Sequence, residues 1–218
     1  MRRLLPTGAE LSDDDLIELY AGTATDPSLV RLNMAATVDG SATGDDNRAG
    51  SINTPPDNRV FQLLRAWADV IVAGSGTVLA EHYDAAVTDP RWTKLREGRP
   101  ADPALAVLTS SGTVPSEVDT STGGEVLGVR SSAARPFSEV IDQLHEKGYR
   151  RILFEGGPTI AGEALAQGVI DELCLTWTPM VVGGDGPRIT RGPQMDRPLT
   201  LLSMLEEDGT LIGRWQVG

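Results

Sequence analysis

The sequence predicts an α/β domain built on a mostly parallel central sheet. Three observations lead there. From Val30 onward, short apolar runs alternate with segments of helical period, the pattern of strand–helix–strand crossovers. Two of these runs end in glycine-rich junctions, Gly74-Ser75-Gly76-Thr77 and Gly156-Gly157-Pro158-Thr159, where a helix begins at once. The last two runs instead flank Asp208-Gly209, a strong short-range hairpin signal, so a C-terminal antiparallel pair finishes the sheet.

Each element has its own warrant. Residues 1–28 read as an N-terminal arm, in which Ser12 and Asp15 have capping-box spacing and Leu16, Leu19 and Tyr20 give a short helix one apolar face. Residues 29–218 read as a single domain. Its strands are expected at 30–37, 70–73, 104–109, 126–129, 151–155, 172–178, 199–206 and 210–217. Helices are expected at 56–68, entered through Thr54-Pro55-Pro56, at 136–147, closed by Gly148, and at 159–167, closed by Gly168. The stretches 110–124 and 183–187, rich in glycine, proline and serine, read as surface loops.

Composition narrows the function. The chain has 218 residues and a net charge of −12, which disfavours a nucleic-acid or anionic-membrane surface. A single cysteine, Cys174, excludes an internal disulfide and a cysteine-based zinc site. The opening MRRLLPTGAELSDDD has too short an apolar run for a signal peptide or anchor. The expectation is a reduced, cytoplasmic protein. His82 and His145 stand apart from one another, and Asp45-Asp46 alone is a weak cation signal, so no metal is expected.

The chemistry concentrates at the glycine junctions. Glycine lets the backbone approach a ligand, and the first amides of a helix point outward unpaired, so each junction suits an anion without needing a lysine. Tight turns alone also explain such glycines. The third glycine of the usual dinucleotide fingerprint is replaced by Leu79. Two such junctions on parallel strands open on the same sheet edge, which favours a pyrophosphate bridging them. A third element, RLNMAATVDGSATG, ends a buried strand in Thr37-Val38-Asp39-Gly40, and the polar stretch DDNRAGSINTPPDNR after it reads as a flap or substrate-binding segment.

These elements carry a resemblance. NMAATVDG, then FQLLRAWADVIVAGSGTVLAE, then RRILFEGGPTIAGEALAQGVIDELCLTWTPMVVGG resemble the reductase domain of bacterial riboflavin biosynthesis, a member of the dihydrofolate-reductase-like superfamily. The likeness spans about four-fifths of the chain. The deaminase module often fused to that domain has no counterpart, since no cysteine pair or His-x-Glu suited to a catalytic zinc occurs. The resemblance implies a three-layer fold, a homodimer, and a reductase that uses NADPH to reduce the ribosyl group of a 5-amino-6-ribosylamino-uracil phosphate.

It further implies that Gly74, Gly76, Thr77, Gly156, Gly157, Thr159 and Ile160 line the cofactor, with Thr109 and Ser110 at its 2′-phosphate. Ala36, Thr37 and Asp39 would border the nicotinamide. Arg59 would meet the substrate phosphate, and Glu155 would contact substrate beside the nicotinamide. Asp39 and Glu155 are the candidates for handling a proton. Glu155 alternatively caps local amides. Arg65, six residues from Arg59 and on the far side of the helix, reads as a surface or interface residue. The sequence departs from the family on the substrate side, at Asn33, Thr37 and Glu81. That departure motivates a second reading, reduction of another heterocycle such as dihydrofolate. A non-catalytic nucleotide-binding protein is the third.

Overall fold

The computed structural model describes residues 1–5, 8, 10–21, 28–132 and 135–218. Part of the expected arm therefore lies outside the described residues. Nine strands form one sheet: β1 (Arg2–Leu5), β2 (Leu29–Thr37), β3 (Val70–Gly74), β4 (Ala104–Thr109), β5 (Val126–Arg130), β6 (Arg151–Phe154), β7 (Glu172–Thr178), β8 (Leu199–Glu207) and β9 (Thr210–Val217). Their spatial order is β1-β8-β9-β7-β2-β6-β3-β4-β5. From β7 to β5 all neighbours are parallel. β9, β8 and β1 continue the sheet antiparallel. Asp208 and Gly209 take positive φ values of 50° and 77°, as a two-residue hairpin of this twist requires.

All eight expected strands are present; β1 was not anticipated. It is four residues long and pairs with β8, a partner some two hundred residues along the chain, so no local pattern announces it. The helices are α1 (Asp13–Ala21), α2 (Pro55–Trp67), α3 (Ser75–Ala80), α4 (Phe137–Glu146) and α5 (Pro158–Ala166). The capping box of α1 is closed: the Asp15 amide donates to Ser12 Oγ at 3.2 Å and the Ser12 amide to Asp15 Oδ2 at 2.8 Å. α2 starts at Thr54, whose hydroxyl accepts from the Asp57 amide at 3.3 Å, with two prolines in its first turn.

The sheet separates two apolar cores. On one face α4 and α5 pack against Val30, Leu32, Val72 and Ile152. On the other, Leu16 and Tyr20 of α1 and Val60, Leu64 and Trp67 of α2 pack against Ile71 and Leu153. Strand alternation decides which residues face which layer. Val30, Leu32 and Met34 of β2 face the α5 side, so Asn33 and Ala35 face α2. β6 lies between β2 and β3, and the crossovers leaving this centre run through α2 on one face and α5 on the other. Side chains at the carboxyl end of β6 therefore open into a crevice.

Candidate active site

Glu155 follows β6 directly. Strand β2 pairs Leu32 with Phe154, so one step on Asn33 stands level with Glu155. The Glu155 side chain is only 2% exposed and receives a bidentate pair from Arg65: Nε donates to Oε1 at 2.8 Å and Nη2 to Oε2 at 2.7 Å. The Arg65 guanidinium is itself held between rings, 4.2 Å from Phe61 and 4.6 Å from Tyr83. Burial, and then the neighbouring Glu155 charge, push the Tyr83 phenol well above its ordinary pKa, so it keeps its proton.

The crevice has two lobes that share Met34, Ala42, Ala49, Thr77, Glu81 and Glu155. One, of about 200 Å³, is completed by Asn33, Asp57, Phe61 and Tyr83. Asp57, Phe61 and Arg65 form an i, i+4, i+8 row along α2, which is why one helix supplies all three. The other lobe, of about 300 Å³, runs along Gly76, Gly157, Pro158 and Thr159 to Arg191. Here the two glycine junctions meet. The Gly74 amide donates to the Gly156 carbonyl at 3.1 Å. A Cβ on Gly157 would come within 2.9 Å of Thr77 Oγ1, whereas one on Gly76 would meet nothing within 4 Å. Gly156 has φ +84°, a region side chains avoid. The Gly156–Gly157 peptide is cis.

A family model described as the RibD C-terminal domain matches residues 28–211. The chain belongs to this family. The 2,5-diamino-6-ribosylamino-4(3H)-pyrimidinone 5′-phosphate reductase of Methanothermobacter thermautotrophicus is 32% identical over 186 residues, covering 73% of this chain and 81% of that protein. Among solved structures, a pyrimidine reductase-like protein from Corynebacterium diphtheriae superposes with a TM-score of 0.80 at 23% identity, over 95% of this chain and 99% of that one. Dihydrofolate reductase from Enterococcus faecalis, complexed with NADP(H), superposes with a TM-score of 0.53 at 15% identity, over 88% of this chain and 98% of that one. The fold is thus the dihydrofolate-reductase-like one.

For this RibD C-terminal domain, the crevice gathers Asn33, Thr77, Glu81 and Glu155 in one lobe and Gly76, Thr77, Gly157 and Thr159 in the other. Gly74, Gly156 and Ile160 sit behind, where a Cβ on Gly74 would strike Ile160 Cδ1 at 2.5 Å. Ala36 and Thr37 are buried, and β2 presents Asn33, Met34 and Ala35 to the crevice instead. Asp39 is exposed and accepts from the Thr37 hydroxyl and from the Gly183 amide at 2.7 Å, bonds that hold its carboxyl below the usual range. It ties the end of β2 to the 182–183 loop and lines neither lobe. Thr109 ends β4, its hydroxyl accepting from the Gly112 amide at 2.8 Å, with Ser110 exposed beside it.

Several expectations are corrected. Arg59 does not reach the crevice, because Asp13 and Glu207 hold it on the α1 side. Arg65, expected at the surface, is the arginine against Glu155. Glu155 takes its bonds from Arg65, and among the described residues no backbone amide donates to it. Glu81 spends its carboxylate on the amides of Ala49 at 2.8 Å and Gly50 at 3.1 Å. Those bonds fold the polar stretch after β2 over the crevice, with a 3-10 turn at Gly50–Ile52 where no element was expected. Asp57, Tyr83 and Arg191 escaped the sequence reading. A signal existed for Asp57: it lies at i−3 and i−7 from Val60 and Leu64, on the apolar stripe of α2.

No helix among the described residues is long and apolar enough to cross a membrane. Among the same residues no group of three or more histidine, cysteine or acidic side chains is placed to hold a metal.

Proposed function

We propose that the protein is an NADPH-dependent reductase that transfers a hydride to the ribosyl group of a ribosylaminopyrimidine. The observation that carries this reading is the Glu155–Arg65 pair, seated where a backbone-built lobe meets a side-chain-built one. Family membership supports it. The larger lobe fits the diphosphate of a dinucleotide: Gly76 and Gly157 clear the floor, Thr159 brings the first turn of α5 to it, and Arg191 is the one cation among the described residues lining it. NADPH, when bound, supplies the hydride.

The chain's own residues supply position and a dry wall. Arg65 and Glu155, locked together, present a fixed dipole at the junction of the lobes. Tyr83, kept protonated, stays a hydrogen-bond donor, and Asn33 offers both a donor and an acceptor. We further propose a homodimer through the antiparallel end of the sheet, where Leu199, Leu201 and Leu211 lie 36–44% exposed; sedimentation at several concentrations tests it.

A second reading, reduction of another heterocycle such as dihydrofolate, is favoured by one feature. The described residues lining the smaller lobe include Asp57, Glu81 and Glu155 but no lysine or arginine, so no cationic side chain among them meets a substrate phosphate. The test is to follow nicotinamide absorbance with the ribosylaminopyrimidine, with and without its phosphate, and with dihydrofolate. NADPH should raise thermal stability and quench tryptophan fluorescence more than NADH. Turnover of dihydrofolate alone would overturn the first reading, and no response to either nucleotide would overturn both.

A further inference from the structure

Segment 188–197, beyond β7, lies as a strap along α5. Its course is fixed at both ends. The Arg191 amide donates to the Pro158 carbonyl at 2.9 Å, and Arg197 Nε and Nη2 donate to the Leu165 and Ala166 carbonyls at 3.1 and 2.9 Å. Gly162 lets the strap come close, since a Cβ there would stand 2.3 Å from the Arg191 carbonyl oxygen. Ile189 and Met195 pack onto the core on the α5 face. The polar side chains of the strap, Arg188, Thr190, Arg191 and Gln194, line a cavity of about 330 Å³ beside the crevice. In a chain of net charge −12, arginines find acids: Arg31, Arg59, Arg65, Arg99 and Arg135 each meet a carboxylate. Among the described residues the Arg188 and Arg191 guanidinium groups meet none and make no hydrogen bond, and no acidic residue lines their cavity. Glu163 of α5 borders Gly192 but pairs with neither arginine.

We propose that this cavity is an anion site that takes a phosphate group, and that its occupant competes with the larger lobe for Arg191. Two like charges held on one cavity by a fixed main chain repel each other. An anion between them removes that cost and supplies acceptors to both guanidinium forks. The Thr190 hydroxyl and the Gln194 amide add uncharged donors. A tetrahedral oxyanion with two charges and several acceptor oxygens matches this set better than a halide does. Arg191 lines both the cavity and the larger lobe. One guanidinium shared between two anions neutralises each less than it would alone. Phosphate in the cavity therefore weakens a dinucleotide in the larger lobe, and by linkage the dinucleotide weakens phosphate. The competition rests on the proposed function; the anion site does not.

The test compares the full chain as wild type and as Arg188→Gln, in inorganic phosphate, glycerol 3-phosphate or chloride at matched ionic strength. Arg188 lines the cavity and neither lobe, so in chloride the variant should bind NADPH as wild type does. Phosphate also enters the larger lobe of both proteins, so the difference between them is what reports the cavity. At saturating phosphate, wild type should gain about 2–4 °C more in Tm than Arg188→Gln. Phosphate should raise the Kd for NADPH, read by tryptophan fluorescence, about fivefold more in wild type than in the variant. Isocytosine, a free pyrimidine base that probes the smaller lobe, should bind wild type equally in phosphate and chloride. A larger response to glycerol 3-phosphate than to inorganic phosphate assigns the cavity to a phosphomonoester, and an equal one assigns it to the free ion. Equal phosphate gains in Tm for the two proteins overturn the site. A Tm difference without an NADPH difference, or an equal loss of isocytosine binding, overturns the competition for Arg191. If NADPH binds neither protein, the reductase reading fails, while the melts still decide the cavity.

Discussion

The two lobes of the crevice are built by opposite means. Beyond the residues both lobes share, the larger adds Gly76 and Gly157, the start of α5 at Pro158 and Thr159, and one arginine, Arg191. The smaller is a surface of side chains, in which Asp57 and Phe61 come from one face of α2, Asn33 from β2 and Tyr83 from the segment after α3, with Arg65 behind Phe61 and Tyr83. A backbone lobe tolerates change in most residues and suits a ligand common to a whole family. A side-chain lobe changes with single substitutions, and so suits the partner that varies. Glu155, held by Arg65, lines both, and loss of that pair should be felt most widely.

Arg65→Met should give the largest effect. It leaves the Glu155 carboxylate, 2% exposed, buried without a partner, at a cost of about 3–5 kcal/mol. Thermal unfolding should show a Tm lowered by about 10 °C or more. Adding Glu155→Gln to the same chain should recover part of the loss. A single variant as stable as wild type would mean the pair is not the joint between the lobes.

Gly156→Ala addresses the backbone lobe. The new Cβ must adopt φ +84° and meets Met34 Sδ at 3.0 Å, a strain of about 1–3 kcal/mol. Stabilisation by NADPH should fall while isocytosine binding holds.

Asp57→Asn should have a smaller effect of opposite sign on the free protein. The folded state holds this proton above the unfolded value. The associated stability is therefore full below the unfolded pKa and lost as pH rises through the folded one. The amide has no such loss, so at neutral pH its Tm should exceed that of wild type by about 2–4 °C, with the gap closing in acid. Melting curves across pH check this, and a destabilised variant at neutral pH would show that the carboxylate serves the fold.

The same division explains what the sequence disclosed. The strands, the capped helices and the Asp208-Gly209 hairpin rest on local periods and turn chemistry. The glycine junctions are equally local, so their meeting at one edge of the sheet was legible in the sequence. The side-chain lobe was not. That Arg59 and Arg65 point to opposite sides was readable from their spacing, but which side faces the crevice depends on Asp13 of α1 and Glu207 of β8, distant in sequence, claiming Arg59. Asp39 carries the residue type and strand-end position of a catalytic acid, yet here it is an exposed clamp on the 182–183 loop. Asp57 lies inside the expected helix 56–68, and the inward turn of its carboxyl depends on Thr176 of β7, far away in sequence.

The most direct test of the two-lobe account is a pair of equilibrium titrations, NADPH and isocytosine, on Arg191→Gln and Asp57→Asn. A double dissociation is expected. Arg191→Gln should weaken NADPH by about 10-fold and leave isocytosine unchanged, and Asp57→Asn should weaken isocytosine and leave NADPH unchanged. If either variant weakens both ligands equally, the lobes do not divide cofactor from substrate and the account is wrong.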